Sequence, residues 1–351
     1  VVLDITNIGQ VQADNGTVTD ALTGLHNFMH HFSDIEGDGK TITLNAEKSG
    51  DVKFTADMWD YDKNEFDLDK FDTSNHTFVN ELNNIKANIN GDDIKLGGIR
   101  DYTYIWISDA EQLNGIQKYY DNKAGSGILS YNFALKNDIN ASDLTDYNVI
   151  GTAANGDVIG YSGTFDGRGN RIIGLEVDNE SNAGIFSQIN QTGVVKDVNI
   201  YSGTFTGSDN AGAVAGENNG RIEGIVTFGN TVTVNGKDGK AGGIVGVNNS
   251  GEFKDDANDG ELTGGIYDVE STGSVIAGSS SAVAGGLVGT NNGGLANSFS
   301  DSAVTVATGV TLDKDTTALG GVVGINNGNV QYVDSLGVTN GGATGSSNIG
   351  G

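Results

Sequence analysis

AGGIVGVNNSG at residues 241–251 decides how this chain is read, because the chain says it again as AGAVAGENNG at 211–220, AGGLVGTNNGG at 284–294 and LGGVVGINNG at 319–328. Each copy runs through small residues, a short apolar stretch, a Gly, then Asn-Asn and usually Gly. A weaker fifth copy, AGIFSQINQTG at 183–193, carries Gln188 in the place of the last strand Gly. With Gln188, Gly216, Gly246, Gly289 and Gly324 taken as equivalent, the intervals are 28, 30, 43 and 35 residues. Self-similarity at a period of about 20 to 50 residues marks a solenoid, a propeller or an array.

The physics of one copy follows from its residues. Small and β-branched side chains favour an extended strand. The glycines of the four clear copies (Gly212 and Gly216; Gly242, Gly243 and Gly246; Gly285, Gly286 and Gly289; Gly320, Gly321 and Gly324) carry no side chain, so a neighbouring layer of backbone can approach closely. The pairs Asn218-Asn219, Asn248-Asn249, Asn291-Asn292 and Asn326-Asn327 tolerate positive φ and bond to their own backbone, so the chain turns there. A second apolar stretch, RIEGIVTF at 221–228, and a third, TVTVNG at 231–236, complete the unit. Three short strands and three turns in about 30 residues suit one coil of a triangular β-helix; a propeller blade needs four strands and about 40 to 50 residues. Stacked coils would place Asn219, Asn249, Asn292 and Asn327 over one another, where their amides can form a ladder. The long interval between Gly246 and Gly289 contains FKDDANDGELTGG, an insertion that a solenoid would push out as a loop.

The totals narrow the function. The chain has 351 residues with 55 Gly, no Pro and no Cys. Gly without a three-residue period excludes collagen, and frequent Val, Ile and Thr without Pro argue against a disordered linker. The absence of Cys removes disulfides, thiolate metal sites and cysteine nucleophiles, and fits export through an oxidising space. A formal charge of −27 with only 19 Lys and Arg argues against nucleic acid as a partner. No apolar run reaches membrane-spanning length, so no membrane insertion is expected. VVLDITNIGQ lacks the charged start and apolar core of a signal peptide, and a start without Met points to a processed or excised piece.

Residues 1–104 read as an acidic, aromatic, β-rich region that caps the remainder of the chain. VLDITNIGQVQA and GKTITLNAEKSGDVKFTA alternate as strands do. Leu22, Leu25, Phe28, Met29 and Phe32 fall near helical spacing, and Leu82, Ile85 and Ile89 fit either a helix or a strand. Residues 105–125 read as a lead-in and a helix. Ser108-Asp109-Ala110-Glu111 is a capping box, Leu113, Ile116 and Tyr120 share one face, and the helix stops between Asn122 and Gly125. From residue 126 onward the β-helix takes over: ILSYNFALKNDINAS is a strand with one buried side, and DGRGN at 166–170 is a turn.

These residues carry a resemblance. The Gly-Gly-aliphatic-aliphatic-Gly-x-Asn-x-Gly phrase resembles the GLUG motif. The preceding order ISDAEQLNGIQ, YNFALKNDINAS, VIGT, SGTFDGRGNRIIGLEV, AGIFSQI is similar to the leading part of haemagglutinin-like and two-partner-secretion exoproteins. The match runs from about Ile105 to the end. It implies a right-handed parallel β-helix on the outside of a bacterium, within an adhesin or another surface protein, and it has no catalytic residues to carry over.

Several residues invite chemistry. His26 and His30 are spaced to share a metal, with His31 beside them and His76 elsewhere, but no His-Glu-x-x-His pattern accompanies them. Asp60, Asp62 and Asn64 begin like a calcium loop, yet Glu65 and Phe71 stand where Gly and Glu belong. Asp34, Glu36 and Asp38 precede Gly39 correctly but end at Asn45. Calcium is therefore the candidate ligand, set against a solvated acidic edge. Asp166, Asp178 and Glu180 with Arg168 and Arg171 form the best carboxylate cluster for polysaccharide cleavage, and turn chemistry explains Asp166 and Arg168 without it. Trp59, Tyr61, Phe66 and Phe71 offer a sugar-stacking surface or the core of a cap.

The expectation is an all-β, non-catalytic rod: a β-helix led by one or two short helices and a β-rich cap. It is extracellular or on a bacterial cell surface, and it attaches to a host or bacterial surface molecule or a glycan. The alternatives are a subunit that self-associates through its coil ends into a filament or surface layer, and, more weakly, a polysaccharide-active enzyme. ATGSSNIGG at the C-terminus places Gly350 and Gly351 where Gly320 and Gly321 sit, so a further strand begins there.

Overall fold

The repeated phrase folds because each strand finds its partner in the next copy. The structure is a computed structural model that describes residues 43–45, 59–60, 63–66, 86–89, 92–95, 104–123, 127–153, 155–179, 181–251, 264–313, 315–340 and 348–350. Among the described residues the chain is all-β apart from one helix and a short 3-10 turn, and its sheets are mainly parallel. It divides into two units, one of residues 1–57 and 68–105, the other of 58–67 and 106–351.

The first unit contains a three-stranded antiparallel sheet, Thr43–Asn45 beside Lys86–Ile89 beside Asp92–Lys95. Ile89 thus lies in a strand. The expected helix around 22–32, the histidines and most of the second calcium fragment lie outside the described residues.

The second unit is built from successive passes of the chain. One pass runs Val194–Lys196, Asn199–Tyr201, Thr204–Gly207, Asn210–Ala211 and Ala215–Asn218. The next runs Arg221–Val234, Lys240–Gly242 and Val245–Asn248, and the one after it Gly265–Ala277, Val283–Gly285 and Val288–Asn291. Equivalent strands pair in parallel from pass to pass, with one register shift where Gly229 is an extra residue between Phe228 and Asn230, and the register survives the 43-residue interval: Asn248 still meets Asn291. The last pair among the described residues joins Ala318–Gly320 to Asn348–Gly350, so Gly350 does take the place of Gly320.

Two features correct the sequence reading. AGGIVG is two strands. Lys240–Gly242 and Val245–Asn248 belong to different sheets, and the chain bends between them at Gly243 and Ile244, whose side chain is fully buried. The fifth copy is also offset. Gln188 pairs with Glu217, so Ser187 takes the place of Gly216, because the bend after Gly184 is one residue shorter than the bend after Gly212.

The long sheet carries bends that the sequence hides. Asp197, Gly224, Asp268, Asn297 and Tyr332 follow register-matched residues and all have left-handed φ, between 48° and 61°. Asp, Asn and Gly adopt this region most readily. Gly174, Ser202 and Gly229 form a second such column.

The core lies between the sheets. Phe165, Val195, Ile222, Ile266 and Leu295 stack as one fully buried column, and Phe205, Val232, Val275 and Val304 as another. Aromatic side chains fill the early passes, and Val, Ala, Ser and Gly the later ones. The cause is local. A Cβ on Gly243 would overlap Ser271, one on Gly286 Ser300, and one on Gly321 would lie 2.7 Å from the Ser335 hydroxyl. Where one wall has no side chain, the facing wall carries only a small hydroxyl.

At the start of this unit lies helix Ala110–Asn122. Its N-cap is Asp109, which accepts from Gln112 N at 2.8 Å, while Gln112 Oε1 accepts from Ser108 N at 2.7 Å. The box is thus Asp109 with Gln112, one residue later than expected, and Glu111 instead pairs with Lys118 at 3.5 Å. Leu113, Ile116 and Tyr119 are buried, with Tyr119 in the role expected of Tyr120. Trp59 packs where a Cβ on Gly115 would sit, and meets Phe66 edge-on at 4.9 Å. Buried amides fasten the other face: Asn114 Oδ1 accepts from Asn148 N at 2.8 Å, and Gln117 Oε1 from Gly151 N at 2.8 Å.

Candidate functional site

The Asn-Asn corners are the most regular chemistry in the molecule. Asn218, Asn248 and Asn291 are fully buried. Asn218 Nδ2 donates to Asn248 Oδ1 at 2.9 Å, Asn248 Nδ2 to Asn291 Oδ1 at 2.8 Å, and Asn291 Nδ2 to Asn326 Oδ1 at 2.8 Å. Each of these amides also closes its own turn or reaches a neighbouring one, as when Asn248 Nδ2 donates to Gly294 O at 3.1 Å. The second asparagines form a parallel column on the outside. Asn327 Nδ2 donates to Asn292 Oδ1 at 2.9 Å, Asn292 Nδ2 to Asn249 Oδ1 at 2.8 Å, and Asn249 Nδ2 to Glu217 Oε1 at 2.8 Å, where Asn219 Nδ2 also donates at 3.1 Å. The inner column donates toward the C-terminus and the outer one toward the N-terminus. Sequence reasoning placed a ladder at the outer position; the buried inner one was missed, although the invariant first Asn of each pair is its signal.

The repeat glycines sit where backbone meets backbone. Added Cβ atoms on Gly242, Gly285 and Gly320 would overlap the carbonyls of Val245, Val288 and Val323 across the bend. Those on Gly212, Gly246, Gly289 and Gly324 would lie between 2.5 and 2.8 Å from atoms of a neighbouring strand, as would one on Gly216 from Asn182 Cβ. None of these glycines has positive φ, so close approach, not a left-handed turn, requires them.

The carboxylate cluster does not assemble as a reaction centre. Asp166 is 8% exposed; one oxygen accepts from Arg168 N at 2.8 Å and the other meets Lys196 Nζ at 3.0 Å. Arg168 lies over the Trp106 ring at 4.9 Å, and Arg171 over Tyr201 at 5.3 Å. Asp178 is exposed on the separate strand Glu176–Asn179, and Glu180 lies outside the described residues. Buried Tyr147 donates to Ile185 O at 3.0 Å, and burial pushes its phenol well above the usual range.

The candidate calcium loop is a turn closed by its own lysine. Asp60 pairs with Lys63 Nζ at 3.1 Å and accepts from Lys63 N at 3.1 Å, and Asn64 is left-handed at φ 54°. Asp62 lies outside the described residues. Among the described residues no three His, Asp or Glu side chains gather to hold a metal, and no helix is long and apolar enough to cross a membrane. Trp59 and Phe66 are buried beside helix Ala110–Asn122, so of the proposed sugar-stacking aromatics these two are packed inside the second unit; Tyr61 and Phe71 lie outside the described residues.

No protein-family profile matches the chain. A structure from Bacteroides ovatus named as a candidate immunoglobulin A1 protease aligns over 71% of this chain and 84% of its own, with a TM-score of 0.47 and 17% identity, a level that carries no argument about activity. Halomucin of Haloquadratum walsbyi is 34% identical over 124 residues; the match takes in 34% of this chain and 1% of Halomucin.

Proposed function

We propose that the second unit is a GLUG-type, right-handed parallel β-helix that serves as a non-catalytic display module of an extracellular surface protein. The observation that carries this reading is the double asparagine ladder over register-matched strands. Each pass completes the hydrogen bonds of the one before it, and the repeated polar side chains are spent on holding layers together. Such a stack is stabilised by its neighbours and presents its outward residues at fixed intervals. The similarity to part of Halomucin supports a place at the cell surface, and a charge of −27 keeps such a surface soluble and repels its copies. Attachment to a surface molecule or glycan is the adhesin form of this reading.

A second reading has one observation in its favour. Ile325, Val330, Tyr332, Leu336 and Val338, all in the last passes, are between 36% and 86% exposed, while the residues below Val330 in its column are fully buried. Apolar side chains exposed together in this way favour a subunit that self-associates through them. Immunogold labelling of intact native cells, with negative-stain microscopy of the purified chain, tests both. Label on unpermeabilised cells and separate particles support display, and filaments or sheets support assembly. Label only after lysis would overturn the surface role.

A further inference from the structure

Immediately before the second left-handed column, Ile173, Tyr201, Phe228 and Thr272 line up in successive passes, and Asp301 and Leu336, each one residue past a paired serine, continue the line. Two of them are unusually bare for apolar residues: Phe228 is 54% exposed and Leu336 76%. Tyr201 and Phe228 make a tilted ring pair at 5.6 Å, so the column begins as an aromatic platform. Directly beside it runs a groove of about 370 Å³. Gly229, Gly273 and Gly337 line it, and Thr231, Thr272, Ser274 and Asp301 supply polar walls. Among the described residues, the side chains of these four make no hydrogen bond or ion pair within the protein, so they are available to a ligand.

The ligand class is set by what the groove can and cannot do. It runs across the strands, and in its inner passes their amides and carbonyls are already engaged by the passes on either side, so a peptide lying along the groove cannot add there as a further strand. Asp301 and the net charge of −27 disfavour a polyanion. An exposed aromatic face beside hydroxyls and one carboxylate matches a pyranose, which has an apolar C–H face and a rim of hydroxyl groups. Adjacent strands are about 4.8 Å apart, so a groove crossing four passes extends about 14 Å, room for a short chain of rings.

We propose that this groove binds a neutral oligosaccharide, with Phe228 stacking on a sugar face and Asp301, Thr272 and Ser274 accepting or donating hydrogen bonds to its hydroxyls. The assignment rests on the display reading and names its partner. The test is calorimetric titration of the full chain with maltohexaose, cellohexaose and laminarihexaose, with a hyaluronan hexasaccharide and an oligolysine peptide as charged probes. At least one neutral hexasaccharide should bind, Phe228→Ala should weaken it about tenfold, and Phe228→Tyr should stay within about twofold. Asp301→Asn should weaken binding without opening the site to hyaluronan. The proposal is overturned if no neutral hexasaccharide binds, if Phe228→Ala binds as the parent does, or if either charged probe binds more tightly. Surface label on intact cells together with any of those results would sink the groove and leave the display role standing.

Discussion

Asn248→Leu is expected to cost about 3 kcal/mol or more of stability, because it keeps the volume of a buried side chain and removes the hydrogen bonds around it. In the parent, Asn248 accepts from Asn218 Nδ2 at 2.9 Å and donates to Asn291 Oδ1 at 2.8 Å and Gly294 O at 3.1 Å, all in buried surroundings. Leucine would leave a donor on one side and two acceptors on the other without partners and without water. The same change at Asn326, which is exposed and ends the described ladder, should stay within about 0.5 kcal/mol. Urea titrations of the two variants check this. Equal losses would mean that the ladder is a consequence of the stack and contributes little to it.

Gly286→Ala should be comparably damaging, at about 3 kcal/mol, because overpacking against backbone cannot be relieved by a rotamer change. The added methyl would overlap the Gly321 carbonyl of the next pass and the Ser300 hydroxyl on the facing wall. Two passes and two walls would have to move apart together. Gly309 makes the control: its φ is 85° and nothing lies within 4 Å of an added Cβ, so alanine there costs only the left-handed conformation, about 1 to 2 kcal/mol. Thermal unfolding of both variants separates the mechanisms. A larger loss at Gly309 would show that backbone freedom, not close approach, is what the repeat glycines supply.

What was legible in the sequence is what repeats as a residue type. Gly and Asn-Asn recur because only a side chain of no volume fits between touching backbones, and a primary amide can close its own turn while donating and accepting along a column. The sheet bends were not legible. Their positions carry Asp197, Gly224, Asp268, Asn297 and Tyr332, which share a left-handed backbone and no common side chain. They sit inside stretches such as RIEGIVTF that alternate like an unbroken strand. The division of AGGIVG was hidden for a related reason. A buried Ile244 at a bend reads the same as a buried residue in a strand. The offset of the fifth copy came from a missing bend residue, which alignment on the last Gly could not reveal. The carboxylate cluster looked like a site because Asp166, Arg168 and Asp178 are close in sequence; the fold spends Asp166 on its own turn and on Lys196. The groove beside Phe228 was invisible, since its members come from four different passes.

Cysteine cross-linking tests the stacking of the passes most directly, because the chain has no Cys of its own. Asn249 and Asn292 are 43 residues apart in sequence and adjacent in the outer column, joined at 2.8 Å. Register neighbours in a sheet lie about 4.8 Å apart, within disulfide range. Asn249→Cys with Asn292→Cys should close an intramolecular disulfide under mild oxidation, and Asn219→Cys with Asn327→Cys, three layers apart, should not. Failure of the first pair, or closure of the second in the monomer, would contradict the stacked arrangement.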